Sequence, residues 1–155
     1  MVWFREPREE ESYQRRVTFT LTRIKIMQKV HRDLFTIYYE NTDSSGFTYH
    51  TTYLSLAERT RSNMLRKEFP EVILMLKENS FFFVVKEMKI NFFKPSFLFD
   101  QLEVITYLEN HSYTSINLVQ KITKDKVPIC NMSVCLVWVD GNKKKPSRIP
   151  SNIIS

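Results

Sequence analysis

A chain of 155 residues, 43% of them hydrophobic and with a formal net charge of +6, suits one domain with an ordinary buried core. Its longest apolar runs, Val72–Leu76 and Phe81–Val85, fall far short of the ~20 residues that a membrane-spanning helix needs. The charge-dense run REPREEESYQRR near the start speaks against a secretory signal, so a cytoplasmic protein is expected, and the surplus of lysine and arginine fits an anionic partner or no more than a soluble surface.

In chain order, residues 1–28 read as a charged N-terminal extension. Either it lies outside the fold, or residues 17–26, rich in Val, Thr, Phe and Ile, add an edge strand. Asp33 to Tyr39 has strand composition and runs into ENTDSSG, a cluster of turn formers that holds Gly46, one of two glycines in the chain. From His50 to Phe69 the spacing predicts a long helix. Tyr53, Leu56, Ala57, Met64 and Leu65 lie on one face of it, and Arg59, Arg61, Arg66 and Lys67 mostly elsewhere. Pro70 closes this helix and opens a short second one.

Four period-two runs follow as predicted strands: Phe81–Phe93, Gln101–Asn110, Ser115–Asp125 and Val127–Asp140. In the first, Phe82, Val84, Met88, Ile90 and Phe92 share a face; in the last, Cys130, Met132, Val134, Leu136 and Trp138 do. The breaks between them are short, so sequence neighbours are expected to pair antiparallel. Cys130 and Cys135 fall on opposite faces of their run and are expected as separate, reduced thiols without a metal. The basic tail GNKKKPSRIPSNIIS reads as an extended or frayed end. The architecture expected over residues 29–155 is α+β, a five-stranded antiparallel sheet wrapped around one long central helix.

The stretch YYENTDSSGFTYHTTYLSLAERTRSNML resembles the signature of the hotdog-fold thioesterases of the 4-hydroxybenzoyl-CoA thioesterase group, in particular the YbgC-type acyl-CoA thioesterases associated with the Tol-Pal system. Tyr38, Tyr39, Glu40, Thr42, Asp43, Gly46, Tyr49, His50, Tyr53, Glu58, Arg59 and Arg61 fall on that pattern in register. FVVKEMKINFFKPSFLFDQLEV is similar to the family's second strand and Lys-Pro turn, and VWVDGNKKKPSRIP to its final strand and basic tail. The chain departs at Asn41, where the family usually has the first Asp of Asp-Thr-Asp, and at Ser44 and Ser45, which replace the common Ala-Gly.

The resemblance implies a hotdog fold and hydrolysis of acyl-CoA to free acid and CoA, with no metal and no redox cofactor. It implies Asp43 as the catalytic carboxylate, either a nucleophile through a mixed anhydride or a general base on water. The backbone N–H of His50, at the helix start, would polarise the thioester carbonyl. Tyr39 resembles the family's supporting hydroxyl, Gly46 and Tyr49 join the substrate site, and Lys144, Lys145 and Arg148 resemble tail positions that meet the phosphates of the carrier.

Several points stay open at this level. Burial against Tyr38, Tyr39 and Phe47 would raise the pKa of Asp43, and a hydroxyl partner would lower it. The imidazole of His50 can orient Asp43 or water, or stand solvated at the helix start. Glu58 is a rival acid, because another hotdog branch carries its acid on the central helix; against this, Arg59 and Arg61 favour a helix ion-pair network. Phe92, Phe93, Phe97 and Phe99 form either an aromatic wall for the acyl group or ordinary core.

The hairpin NHSYTS offers His111, Ser112 and Thr114 where relatives often carry arginines, so acyl-carrier protein stands beside CoA as the thiol carrier. The resemblance also implies a homodimer or homotetramer with sites between subunits. Nucleic acid is not expected. The other readings are a hotdog dehydratase, ranked low, and a non-catalytic hotdog binding protein contacting lipid-synthesis enzymes or nucleic acid.

Overall fold

The structure is a computed structural model that describes residues 27–78 and 80–154. The edge strand expected as an alternative over 17–26, and all but the last two residues of the expected extension, lie outside the described residues.

The elements are β1 (Gln28–Thr36), a 3-10 turn (Tyr39–Asn41), α1 (His50–Glu68), α2 (Pro70–Lys77), β2 (Phe81–Phe92), β3 (Gln101–His111), β4 (Ser115–Lys124), β5 (Val127–Asp140), β6 (Lys145–Pro146) and α3 (Ser151–Ile154). No glycine or proline interrupts α1. It stops at Phe69 (φ −135°, ψ 61°), because the residue before a proline is pushed out of the helical region, and Pro70 then opens α2. β1 starts earlier than composition suggests. Its ladder with β3 runs from Gln28↔Leu108 to Thr36↔Gln101, and Asp33 is tied to α1 by Asn63, which donates to it over 2.9 Å. Tyr38 and Tyr39 fall outside the strand, because the Asn41 side chain accepts the Tyr38 N–H (2.9 Å) and caps the 3-10 turn.

The sheet order is β1-β3-β4-β5-β2, with β6 on β5, and all pairs are antiparallel. β2 and β3 are neighbours in sequence but do not pair, contrary to the expectation from their short break. They stand three strand spacings apart, about 14 Å. The eight residues 93–100 can span about 26 Å when extended, enough to cross the ends of β4 and β5.

A second correction concerns β2. Its register on β5 shifts between Val85 and Glu87, so a bulge reverses the inward parity midway. Phe81 and Phe83 therefore face inward against Trp138, at ring distances of 5.7 and 4.6 Å, while Phe82 and Val84 stand exposed. Beyond the bulge, Met88 and Ile90 turn in as the pattern predicts. On β5 the inward set Cys130, Met132, Val134, Leu136 and Trp138 is buried as read from the sequence. Both cysteines are free, and burial pushes the Cys130 thiol up to about 12, which makes it inert.

The sheet curls around α1 and buries its inner face in two apolar clusters. One surrounds the first half of the helix (Tyr53, Leu56 and Ala57 with Leu102, Val104, Ile122 and Met132). The other surrounds the second half (Met64 with Val72, Leu118, Val134 and Trp138). Between them lies a buried polar layer of Thr60, Arg61, Thr106 and Gln120. Arg61 is thus on the inward face, not off it: its guanidinium donates to Gln120 (2.6 Å) and pairs with Glu58.

The tail is ordered instead of frayed. The Asp140 carboxylate accepts the N–H groups of Asn142 and Lys143 (2.9 and 3.0 Å), Lys145–Pro146 pairs back on β5, and Ile149 and Ile153 enter the second cluster. Those two buried isoleucines anchor what its prolines and lysines made look loose.

Candidate active site

The residues between the 3-10 turn and α1 form a small hairpin. Thr42 and Thr48 make its closing bridge. The Asp43 N–H donates to Phe47 O (2.9 Å), and the Gly46 N–H donates to Asp43 O (3.1 Å). Such a three-residue loop, Ser44 to Gly46, needs a left-handed residue at its last position, and Gly46 has φ +83°. A Cβ built there meets nothing within 4 Å, so the requirement is conformational, not steric. Gly46→Ala is expected to cost about 1 kcal/mol and Gly46→Asn less, because asparagine tolerates this region; urea melts read the difference.

Asp43 opens the hairpin. Its Oδ1 accepts the Ser45 N–H (2.8 Å) and, in a very short contact, the Ser45 hydroxyl. Its Oδ2 has no partner among the described residues. The Ser45 hydroxyl holds the carboxyl below its ordinary pKa, against the opposing effect of desolvation and with help from the Ser45 and Phe47 backbone N–H groups. Of the two opposed effects weighed above, the hydroxyl partner wins, because Tyr38, Tyr39 and Phe47 are all exposed and bury nothing over the acid.

α1 begins directly after the hairpin. Tyr49 is its N-cap with no side-chain cap bond, and its own N–H goes to Asn41 O (2.8 Å). Asn41, the departure from the family signature, is thus a local brace: its carbonyl also accepts the Thr52 hydroxyl (3.3 Å). At the first turn of a helix the N–H groups lack intrahelical acceptors, so those of His50 and Thr51 are available and carry the positive end of the helix dipole. His50 is exposed, and no hydrogen bond joins its imidazole to Asp43.

The hairpin is fixed from below by Ser96, which sequence reading passed over. Thr48 and Tyr53 both bond Ser96, which is fully buried in the crossing segment 93–100. Nothing in the local pattern marks a serine after Lys-Pro; only the crossover places it under the hairpin.

Asp43, Gly46, Tyr49, His50 and Tyr39 thus gather at one end of the fold. Tyr39 is 76% exposed, with its ring edge-on to Phe99 at 6.1 Å. Phe92, Phe93, Phe97 and Phe99 are 45 to 64% exposed, so they are not core; Phe97 packs on Phe47 of the hairpin at 5.3 Å. Phe99 is held at φ +65°, a region costly for a bulky residue. Lys144, Lys145 and Arg148 lie elsewhere. They follow the far end of β5, with Arg148 over the Tyr113 ring at 5.4 Å, and α1 puts about 28 Å between the two ends. Glu58 sits mid-helix and exposed, paired to Arg61, as the ion-pair reading has it.

A groove of about 630 Å³ runs along α1, lined by Leu54, Ser55, Glu58, Arg59, Ser62 and Met88 among others. It starts one turn beyond His50 and faces β2, whose outer edge pairs with no other strand among the described residues.

A curled antiparallel sheet wrapped around one long helix defines the hotdog class of folds. Residues 39–155 match the family model of the thioesterase-like superfamily, and the chain belongs to that family. It is similar to the acyl-CoA thioester hydrolase YbgC of Escherichia coli O6:H1, at 35% identity over 77% of this chain and 89% of that protein. It is also similar to the acyl-CoA thioesterase YbgC of Haemophilus influenzae, at 31% identity over 76% and 86%. Among solved structures, a probable thioesterase from Bartonella henselae superposes with a TM-score of 0.69 at 29% identity, covering 77% of this chain and 98% of that one.

Proposed function

We propose that this protein is an acyl-CoA thioesterase in which Asp43 attacks the thioester carbonyl. The YbgC relatives support the activity. The observation that carries the assignment is a carboxylate with one oxygen tied to Ser45 and the other free, beside the open N–H groups of the helix start.

Oδ2 adds to the carbonyl carbon, the developing oxyanion is held by the His50 N–H, and the C–S bond breaks to release the CoA thiolate, which takes a proton from solvent. Water then cleaves the mixed anhydride to free acid and restores the carboxylate. A carboxyl held below its usual pKa is ionised at neutral pH, as attack on carbon requires. A single turnover in oxygen-18 water tests the nucleophilic route. Label in the Asp43 carboxylate marks water attack on the aspartyl carbon of the anhydride. If water attacks the acyl carbon the label goes to the free acid, and borohydride present during turnover should then reduce acylated Asp43 to homoserine, so the absence of both signals would return the role to a general base.

The acid limb of kcat/KM should follow Asp43. A depressed carboxyl stays charged to lower pH, so activity is expected to persist below the ordinary carboxylate range. It falls only as pH drops through the lowered value. Ser45→Ala removes the largest cause of the depression and should move that limb up in pH, read from a pH–rate profile.

Two finer parts of the reading concern partners. The exposed Phe82, Val84, Val85 and Phe92 on β2, whose outer edge is unpaired among the described residues, support a homodimer joined antiparallel along that strand. Antiparallel pairing sets the start of one β2 beside the end of the other. The partner's basic tail then lies at the Asp43 end, where the carrier's phosphates need cations, and the groove along α1 is closed. Acyl-carrier protein stands beside CoA as the thiol donor. A monomeric mass by light scattering at assay concentration would overturn the shared site, and thiol release from paired acyl-CoA and acyl-carrier substrates ranks the carriers.

A further inference from the structure

The segment 93–100 does more than connect β2 to β3. At its centre Ser96 is fully buried, as are its neighbours Thr48 (7% exposed) and Tyr53 (3%). The backbone carbonyl of Ser96 accepts the Thr48 N–H (2.9 Å) and the Thr48 hydroxyl (3.0 Å). Its Oγ lies 2.7 Å from Thr48 Oγ1 and 2.9 Å from the Tyr53 hydroxyl. Its own N–H donates to the Tyr53 oxygen over 3.2 Å.

The protons can be assigned so that each is used once. Ser96 N–H donates to Tyr53, Tyr53 to Ser96 Oγ, Ser96 Oγ to Thr48, and Thr48 to the Ser96 carbonyl. A buried network in which every donor and acceptor is satisfied is stiff, and each bond polarises the next. It joins two parts of the proposed site. Thr48 closes the Asp43 hairpin, and Tyr53 stands in the first turn of α1, one turn from His50. No hydrogen bond among the described residues joins Thr48 to Tyr53 directly; Ser96 is the link.

We propose that Ser96 is a positioning residue for thioester hydrolysis, setting the angle between the Asp43 carboxylate and the N–H groups at the start of α1. This rests on the reading of Asp43 and His50 as the reacting pair. Ser96→Ala deletes the Oγ but keeps the backbone links to Thr48 and Tyr53, so the fold should survive while the hairpin gains freedom to tilt. Reaction rates are sensitive to displacements of about 1 Å at this distance from the chemistry.

With hexanoyl-CoA as probe, Ser96→Ala is expected to lower kcat about tenfold with KM within about twofold. Thr48→Val should behave alike, and Thr48→Ser, which restores the hydroxyl, should recover most of the rate. The decisive readout is coupling. Thr48→Val and Tyr53→Phe together should cost less than the product of their separate effects when Ser96 is present, and the two should become independent in the Ser96→Ala background. Unchanged kcat in folded Ser96→Ala, or simple multiplication in the Ser96 background, would overturn the proposal. If Ser96→Ala does not fold, the Thr48 and Tyr53 variants still decide, through the rescue by Thr48→Ser and the sub-multiplicative pair. An active Asp43→Asn would instead sink the underlying site, whatever Ser96 does.

Discussion

Asp43→Asn is expected to lower kcat for acyl-CoA by at least about 10³-fold, the scale lost when the reacting group itself is removed, with little change in folding. The asparagine keeps an oxygen that can accept the Ser45 N–H, so the hairpin holds, while the charge that the proposed attack on carbon requires is gone. Glu58→Gln is the control. Glu58 lies mid-helix and exposed, and its partner is Arg61 rather than the hairpin. The buried guanidinium keeps its bond to Gln120 when Glu58 is neutralised, so activity should stay within a few-fold of wild type. Free-thiol release measured on both variants, with circular dichroism to verify folding, separates the two acids. An active Asp43→Asn beside a dead Glu58→Gln would move the chemistry onto the helix.

What was legible in the sequence follows from which interactions are local. α1 and the last three long strands were found within a residue or so, because one period runs through most of each and the register shifts near Asn110 and Ile129 lie towards the strand ends. The same logic failed at β2, where the bulge between Val85 and Glu87 flips the inward face. A bulge leaves no mark in composition, since Phe and Val fill both parities there. Strand order was misjudged for a different reason: loop length limits how far a chain can cross but does not make neighbours pair.

The hairpin of the candidate site could be read because Asp, Ser and Gly at those positions are themselves the turn chemistry. Its support could not. Ser96 is 43 residues from Tyr53 and 48 from Thr48 along the chain, and only the crossover brings them together. Exposure was equally out of reach: the phenylalanines around the hairpin look like core in a list of residue types, yet they stand half-open at the end of the fold that holds Asp43.

The second large effect is on stability and concerns the polar layer that divides the two apolar clusters. Gln120→Leu is expected to destabilise the fold by about 3 kcal/mol, a drop in Tm of about 10 °C. Gln120 is wholly buried on β4 and serves three groups at once: its oxygen accepts from Arg61, and its amide donates to Ala57 O and to Thr106 Oγ1, both over 3.0 Å. Leucine fits the volume but leaves the guanidinium with Glu58 alone and takes a donor from Thr106 Oγ1 and from the Ala57 carbonyl, which keeps only its helix bond. Arg61→Met should also destabilise, since it orphans the Gln120 oxygen. The double variant Gln120→Leu with Arg61→Met removes both sides of that bond and should cost less than the two singles added, because apolar groups can then pack where an unpaired charge would sit. Urea melts on the three variants measure that coupling. Simple additivity would mean that Arg61 and Gln120 hold the helix to the sheet independently, each through its other contacts, and that the layer is no more than two separate polar residues in one plane.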